Sequence, residues 1–103
     1  MGELVKVAAV NDIAPGTSKL VEANGQQVAV FNVKGSFYAI DNTCAHRGGP
    51  LCEGFVNDRE LTVECPWHGW VYSLESGVTT FNPDTKNKTF PVTIKDGAVF
   101  LEL

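Results

Sequence analysis

Apolar and polar positions alternate along this chain in short runs, and Gly, Asn, Asp, Pro and Ser punctuate them. No window holds a helical period of apolar residues over three turns, so the pattern predicts strands. Leu4 to Val10 reads as a first strand, closed by the turn Asn11-Asp12-Ile13-Ala14-Pro15-Gly16. Ser18 to Ala23 and Gln27 to Val33 flank Asn24-Gly25, a pair that tolerates the positive φ values of a type I′ hairpin. A turn at Lys34-Gly35-Ser36 leads into a strand at Phe37 to Ile40.

Further on, Glu60 to Glu64 sets Leu61 and Val63 against Thr62 and Glu64, the alternation of a half-buried strand. Trp70 to Leu74 and Val78 to Phe81 bracket a turn at Glu75-Ser76-Gly77. Asn82 to Asn87 reads as a loop stiffened by Pro83. Phe90 to Ile94 and Ala98 to Leu103 flank Lys95-Asp96-Gly97, with Pro91 suited to an edge or a strand start. The expectation is an all-β fold: an antiparallel β-sandwich or small barrel of about nine or ten strands in one domain over residues 1–103.

Composition narrows the function. The chain is 44% hydrophobic and 19% charged, the balance of a globular protein. Eight basic residues are scattered against twelve acidic ones, for a net charge of −4. No phosphate-binding stripe exists, so nucleic acid is not an expected partner, and the acidic balance favours a partner with a basic patch. No apolar run is long enough to cross a bilayer, and the first residues lack a signal peptide's apolar core. A cytoplasmic protein without membrane contact is expected. Three cysteines without an export signal point to metal or redox chemistry rather than a disulfide framework.

Two of those cysteines stand beside the chain's two histidines, as Cys44-Ala45-His46 and Cys65-Pro66-Trp67-His68. Both boxes follow predicted strands, which places them on neighbouring loops. Thiolate and imidazole are the strongest side-chain ligands for iron and zinc, and each box supplies one of each. A single zinc ion could use all four. The order Cys, His, Cys, His also suits two metals, with both cysteines on one and both histidines on the other. The odd cysteine, Cys52, reads as an inert apolar filler beside Leu51 and Phe55. Trp67 and Trp70 either cap the core side of the site or stand on a docking face.

The ligand pattern and its flanks, Cys44-Ala45-His46-Arg47-Gly48-Gly49-Pro50-Leu51, Glu53-Gly54 and Cys65-Pro66-Trp67-His68-Gly69-Trp70, resemble the cluster-binding segment of Rieske iron–sulfur proteins. Pro83, Phe90-Pro91-Val92 and Asp96-Gly97 extend the resemblance over essentially the whole chain. It implies one [2Fe-2S] cluster per chain, with Cys44 and Cys65 on an inner iron and His46 and His68 on an outer one. It also implies a cluster-binding subdomain of two loops over about residues 42–83.

Respiratory members of that family carry an extra disulfide at the positions of Gly49 and Trp67, and a serine at that of Trp70; this chain has none of these. Tyr72 does match the respiratory tyrosine. With one fewer hydroxyl bond to sulfur, a potential in the low part of the Rieske range is expected, roughly −150 to 0 mV. The resemblance points to a ferredoxin that carries one electron from an NAD(P)H-dependent flavoprotein reductase to the terminal oxygenase of an aromatic-ring dioxygenase. That oxygenase would dock near His46 and His68. The chain shows no flavin or nicotinamide motif, so it is not itself expected to be an enzyme. Two other readings stay open: the small subunit of a nitrite-reductase-like complex, and a zinc-stabilised binding module.

Overall fold

The computed structural model describes residues 3–42, 51–67, 69–79 and 87–102. Among these residues ten strands run in chain order: β1 (Leu4–Ala9), β2 (Ser18–Ala23), β3 (Gln26–Val33), β4 (Ser36–Asp41), β5 (Phe55–Asn57), β6 (Thr62–Glu64), β7 (Val71–Ser73), β8 (Thr89–Phe90), β9 (Val92–Lys95) and β10 (Ala98–Glu102). All named pairings are antiparallel, and they form three sheets ordered β1-β10-β9, β2-β3-β4-β8 and β5-β6-β7.

β3 is the centre of the molecule. Its run Val28-Ala29-Val30-Phe31-Asn32-Val33 is buried at every position, because neighbours cover both faces of the strand. Val28 and Val30 point to one side, where Val21, Ala39 and Phe90 join Ala8, Val99 and Leu101 of the β1-β10-β9 sheet. Ala29, Phe31 and Val33 point to the other, where Ile40 joins Leu51, Val63, Cys65, Tyr72 and Leu74. The strand period of two thus divides one sequence run between two cores. The one polar side chain in the run, Asn32, is satisfied at both ends: Nδ2 donates to the Ile13 carbonyl at 2.7 Å and Oδ1 accepts from Gly35 N–H at 2.9 Å.

The hairpin turns follow their chemistry. Asn24 and Gly25 have φ of 51° and 78°, and Asp96 and Gly97 have 53° and 74°, so both pairs take the type I′ sign at both central positions. Other expectations need correction. β1 stops at Ala9, and Val10–Asp12 form a turn of 3₁₀ helix in which Asp12 Oδ2 accepts from Ala9 N–H at 3.0 Å. The run Phe90 to Ile94 is two strands in two sheets, since β8 pairs with β4 and β9 with β10. Pro91 sits at the crossing; it has no N–H to give a ladder, and its carbonyl accepts from Glu102 N–H at 3.0 Å. Leu61 takes φ of 54°, so β6 begins only at Thr62. The expected strand Val78 to Phe81 reduces, among the described residues, to an isolated bridge between Tyr72 and Thr79. β5 was not legible in the pattern, because its Phe55, Val56 and Asn57 are all exposed.

Candidate metal centre

Of the four predicted ligands, Cys65 lies among the described residues, while Cys44, His46 and His68 lie outside them, as do Arg47, Gly48, Gly49, Pro50 and Pro83. The structure therefore shows the frame on which the two boxes are mounted. Among the described residues, no three of His, Cys, Asp and Glu gather closely enough to hold a metal.

Box two sits on the β6–β7 hairpin. Cys65 follows β6 directly, its N–H donates to the Trp70 carbonyl at 2.7 Å, and its own carbonyl accepts from Gly69 N–H at 3.1 Å. Those two bonds close a short loop over Pro66 to Gly69, and Gly69 makes the reversal with φ of 72°. Cys65 is 1% exposed and belongs to the core cluster with Leu51, Val63 and Tyr72. A bare thiolate in such surroundings is costly, so a thiolate there suits a bound metal that takes its charge. Soft thiolate donors with imidazole are also the donor set of a histidine-ligated iron–sulfur cluster. Among the described residues, the buried Cys65 is a donor of the kind such a group needs.

Box one is bracketed by Asn42 and the 3₁₀ turn Leu51–Glu53. Leu51 N–H donates to the Asn42 carbonyl and Cys52 N–H donates to Asn42 Oδ1, both at 2.8 Å, while Asn42 N–H donates to the Gln27 carbonyl at 3.0 Å. One residue thus joins the two ends of the 43–50 segment to β3. Gly54 brings the turn against box two: a Cβ there would stand 2.4 Å from the Glu64 carbonyl oxygen and 2.9 Å from Val63 Cγ2, so no larger residue fits.

A third segment is tied to the same place. Asn87 N–H donates to the Gly77 carbonyl at 2.9 Å, and Asn87 Nδ2 donates to the Asp41 carbonyl at 3.1 Å. The ends of the 80–86 segment are therefore held beside those of box one. Sequence reasoning passed over Asn42 and Asn87. A single Asn at a strand end reads as a turn former, and only its burial beside a ligand box would have marked it.

The two indoles divide the roles foreseen for them. Trp70 packs against the Cys65 core cluster, whereas Trp67 is 59% exposed on the box-two loop. Cys52 is half-buried against the same core. Burial pushes its thiol above the ordinary range, the Glu53 carboxylate pushes it further, and a backbone hydrogen bond offsets this in part. It packs beside Leu51 in that core, but Phe55 is 69% exposed and so gives it no enclosed apolar neighbour on that side.

The Rieske [2Fe-2S] domain family matches residues 3–94. The ferredoxin component of the naphthalene 1,2-dioxygenase/salicylate 5-hydroxylase systems of a Ralstonia species is 35% identical over 100 residues, covering 96% of this chain and 94% of that protein. A chain of the solved complex of reduced oxygenase and oxidized ferredoxin in carbazole 1,9a-dioxygenase superposes with a TM-score of 0.85 at 33% identity, over 96% of this chain and 92% of that one. The ferredoxin of carbazole 1,9a-dioxygenase from Nocardioides aromaticivorans superposes with a TM-score of 0.90 at 25% identity, over 96% of each chain.

Proposed function

Because the chain belongs to the Rieske [2Fe-2S] family, a ferredoxin-type electron carrier rather than an oxygenase, we propose that Cys44, His46, Cys65 and His68 hold its cluster. We further propose that its electron goes to the terminal oxygenase of an aromatic-ring dioxygenase system. When bound, the cluster supplies reversible one-electron chemistry. The single observation that carries the reading is Cys65, a cysteine at a strand end, buried in a core that would otherwise oppose its thiolate.

Each part of the frame then has a task. Leu51, Val63 and Tyr72 keep water from the Cys65 side, which lowers the local dielectric around the thiolate. Asn42 and Gly54 hold the flanks of the 43–50 segment to β3 and β6. Trp67 offers the partner an exposed aromatic beside His68, the type of anchor that dominates protein interfaces. The acidic balance of the chain suits a basic docking face, and an NAD(P)H-dependent flavoprotein reductase is the electron donor in this reading. The same reading places the carrier in the cytoplasm and makes residues 42–83 the cluster-binding subdomain of a single domain.

The test is visible and EPR spectroscopy of the purified protein before and after reduction, followed by electron transfer to candidate oxygenases. A reducible iron–sulfur spectrum with oxygenase turnover is the expected result. A colourless zinc protein would overturn the reading, and a cluster that reduces only a nitrite-reductase-type partner would overturn the choice of acceptor.

A further inference from the structure

The two asparagines at the loop bases differ in what they offer. Cys52 N–H can only donate, so the Asn42 side chain must present its oxygen there, 2.8 Å away. The Asp41 carbonyl can only accept, so the Asn87 side chain must present its NH₂, 3.1 Å away. Both residues are 5% exposed, where a lost partner leaves a polar group without water.

Their bonds converge on two adjacent residues at the end of β4. Asp41 N–H donates to the Lys88 carbonyl at 2.8 Å and the Asp41 carbonyl accepts from Asn87; Asn42 accepts from Leu51 and Cys52. The residues flanking positions 43–50, and Asn87 after position 86, are thus tied to one point of the central sheet. Gly77 makes that fit tight, because a Cβ on it would stand 2.0 Å from the Asn87 carbonyl oxygen.

We propose that Asn42 and Asn87 are paired positioning residues, one as acceptor and one as donor, which set the box-one and 80–86 segments relative to Cys65 and so control how firmly the cluster is retained. This rests on the ligand assignment proposed above. The side-chain bonds described above run to backbone groups, through which the two residues act on the segments they flank.

The test compares N42D with N87D in the cluster-loaded full chain. Each adds one carboxylate at nearly constant size, but aspartate keeps the acceptor that position 42 needs and removes the donor that position 87 needs. Cluster loss is followed as decay of visible absorbance under a chelator, with visible circular dichroism and EPR line positions of the reduced protein recorded alongside. N87D is expected to lose its cluster at least about tenfold faster than the native chain and to shift the EPR lines, while N42D stays within about twofold. N42A, which removes the acceptor, is expected to behave like N87D. Equal rates and unchanged spectra for N42D and N87D would overturn the proposal, as would N42D decaying as fast as N87D. If N42A does not fold, the two aspartate variants decide alone. A native chain that takes up no cluster contradicts the ligand assignment and this proposal with it, whereas a native cluster with indifferent variants contradicts this proposal only.

Discussion

The two halves of the molecule share apolar burial and differ in how much specific hydrogen bonding is added to it. In the sandwich half, β1, β9 and β10 cover one face of the β2-β3-β4-β8 sheet, and apolar side chains such as Val28, Val99 and Leu101 are almost fully buried. In the other half, β5, β6 and β7 are three residues each, and β5 is exposed at every position. That half has its own apolar core of Leu51, Val63, Tyr72 and Leu74 packed with Phe31, and what sets it apart is the added set of specific hydrogen bonds from Asn42, Cys65 and Asn87, with close approaches at Gly54 and Gly77. Apolar burial is tolerant of detail, while hydrogen-bonded loops demand particular atoms. A site that must fix ligands within tenths of an ångström therefore sits on the second kind of structure, supported by the first.

The largest effect that would sharpen this contrast is the loss of Cys65. C65A is expected to abolish the cluster, read as loss of visible absorbance and iron content, while far-UV circular dichroism keeps the signature of the β-sandwich. Loss of all β structure in that variant would show that the sandwich half has no independent stability. Next come L101A and G77A, taken as a pair. L101A removes a fully buried side chain from the sandwich and should cost about 2–5 kcal/mol in denaturant unfolding, with the cluster spectrum unchanged. G77A forces a side chain onto φ of 79° and into the Asn87 backbone, so it should disturb the cluster spectrum at denaturant concentrations where the sandwich is intact. Reversal of those two outcomes would break the comparison.

Smaller still is W67A. With its indole 59% exposed, the substitution should leave the melting temperature within about a degree or two, since exposed sites contribute little to stability. Electron transfer to the oxygenase should fall by about tenfold or more, the effect of losing an interface anchor of about 2 kcal/mol. The smallest effect expected is C52A, under about 1 kcal/mol and without spectral change. Its raised thiol pKa means that the native state disfavours the thiolate. Stability from this group is therefore flat below the unfolded thiol's range near pH 8.5, falls as pH rises above it, and C52A should remove that alkaline decline.

Much of the sandwich was legible because its physics is local. Gln27 to Val33 read as a strand, and Asn24-Gly25 and Asp96-Gly97 read as turns, from the residues alone. The run Phe90 to Ile94 showed where the pattern misleads, because a continuous apolar run hides a change of sheet, while Pro91 stands as expected at a strand start, between the edge strands β8 and β9. β5 was missed because its apolar residues face solvent and so alternate with nothing. The proposed ligands stand out in the sequence as a spacing of scarce residue types, and Trp67 and Trp70 as a choice between core and surface that the fold divides between them. Asn42, Gly54 and Asn87 were not, because their importance lies in contacts with residues that are near in space, and in the case of Asn87 up to forty-six positions away in sequence.

The central claim is that Cys44 and Cys65 hold one iron and His46 and His68 the other. Mössbauer spectroscopy of the oxidised protein, loaded with isotopically enriched iron, tests it most directly. The account predicts two signals of equal intensity with distinct isomer shifts, one from an iron with thiolate ligands and one from an iron with imidazole ligands. Two indistinguishable irons, or a single mononuclear site, would contradict it.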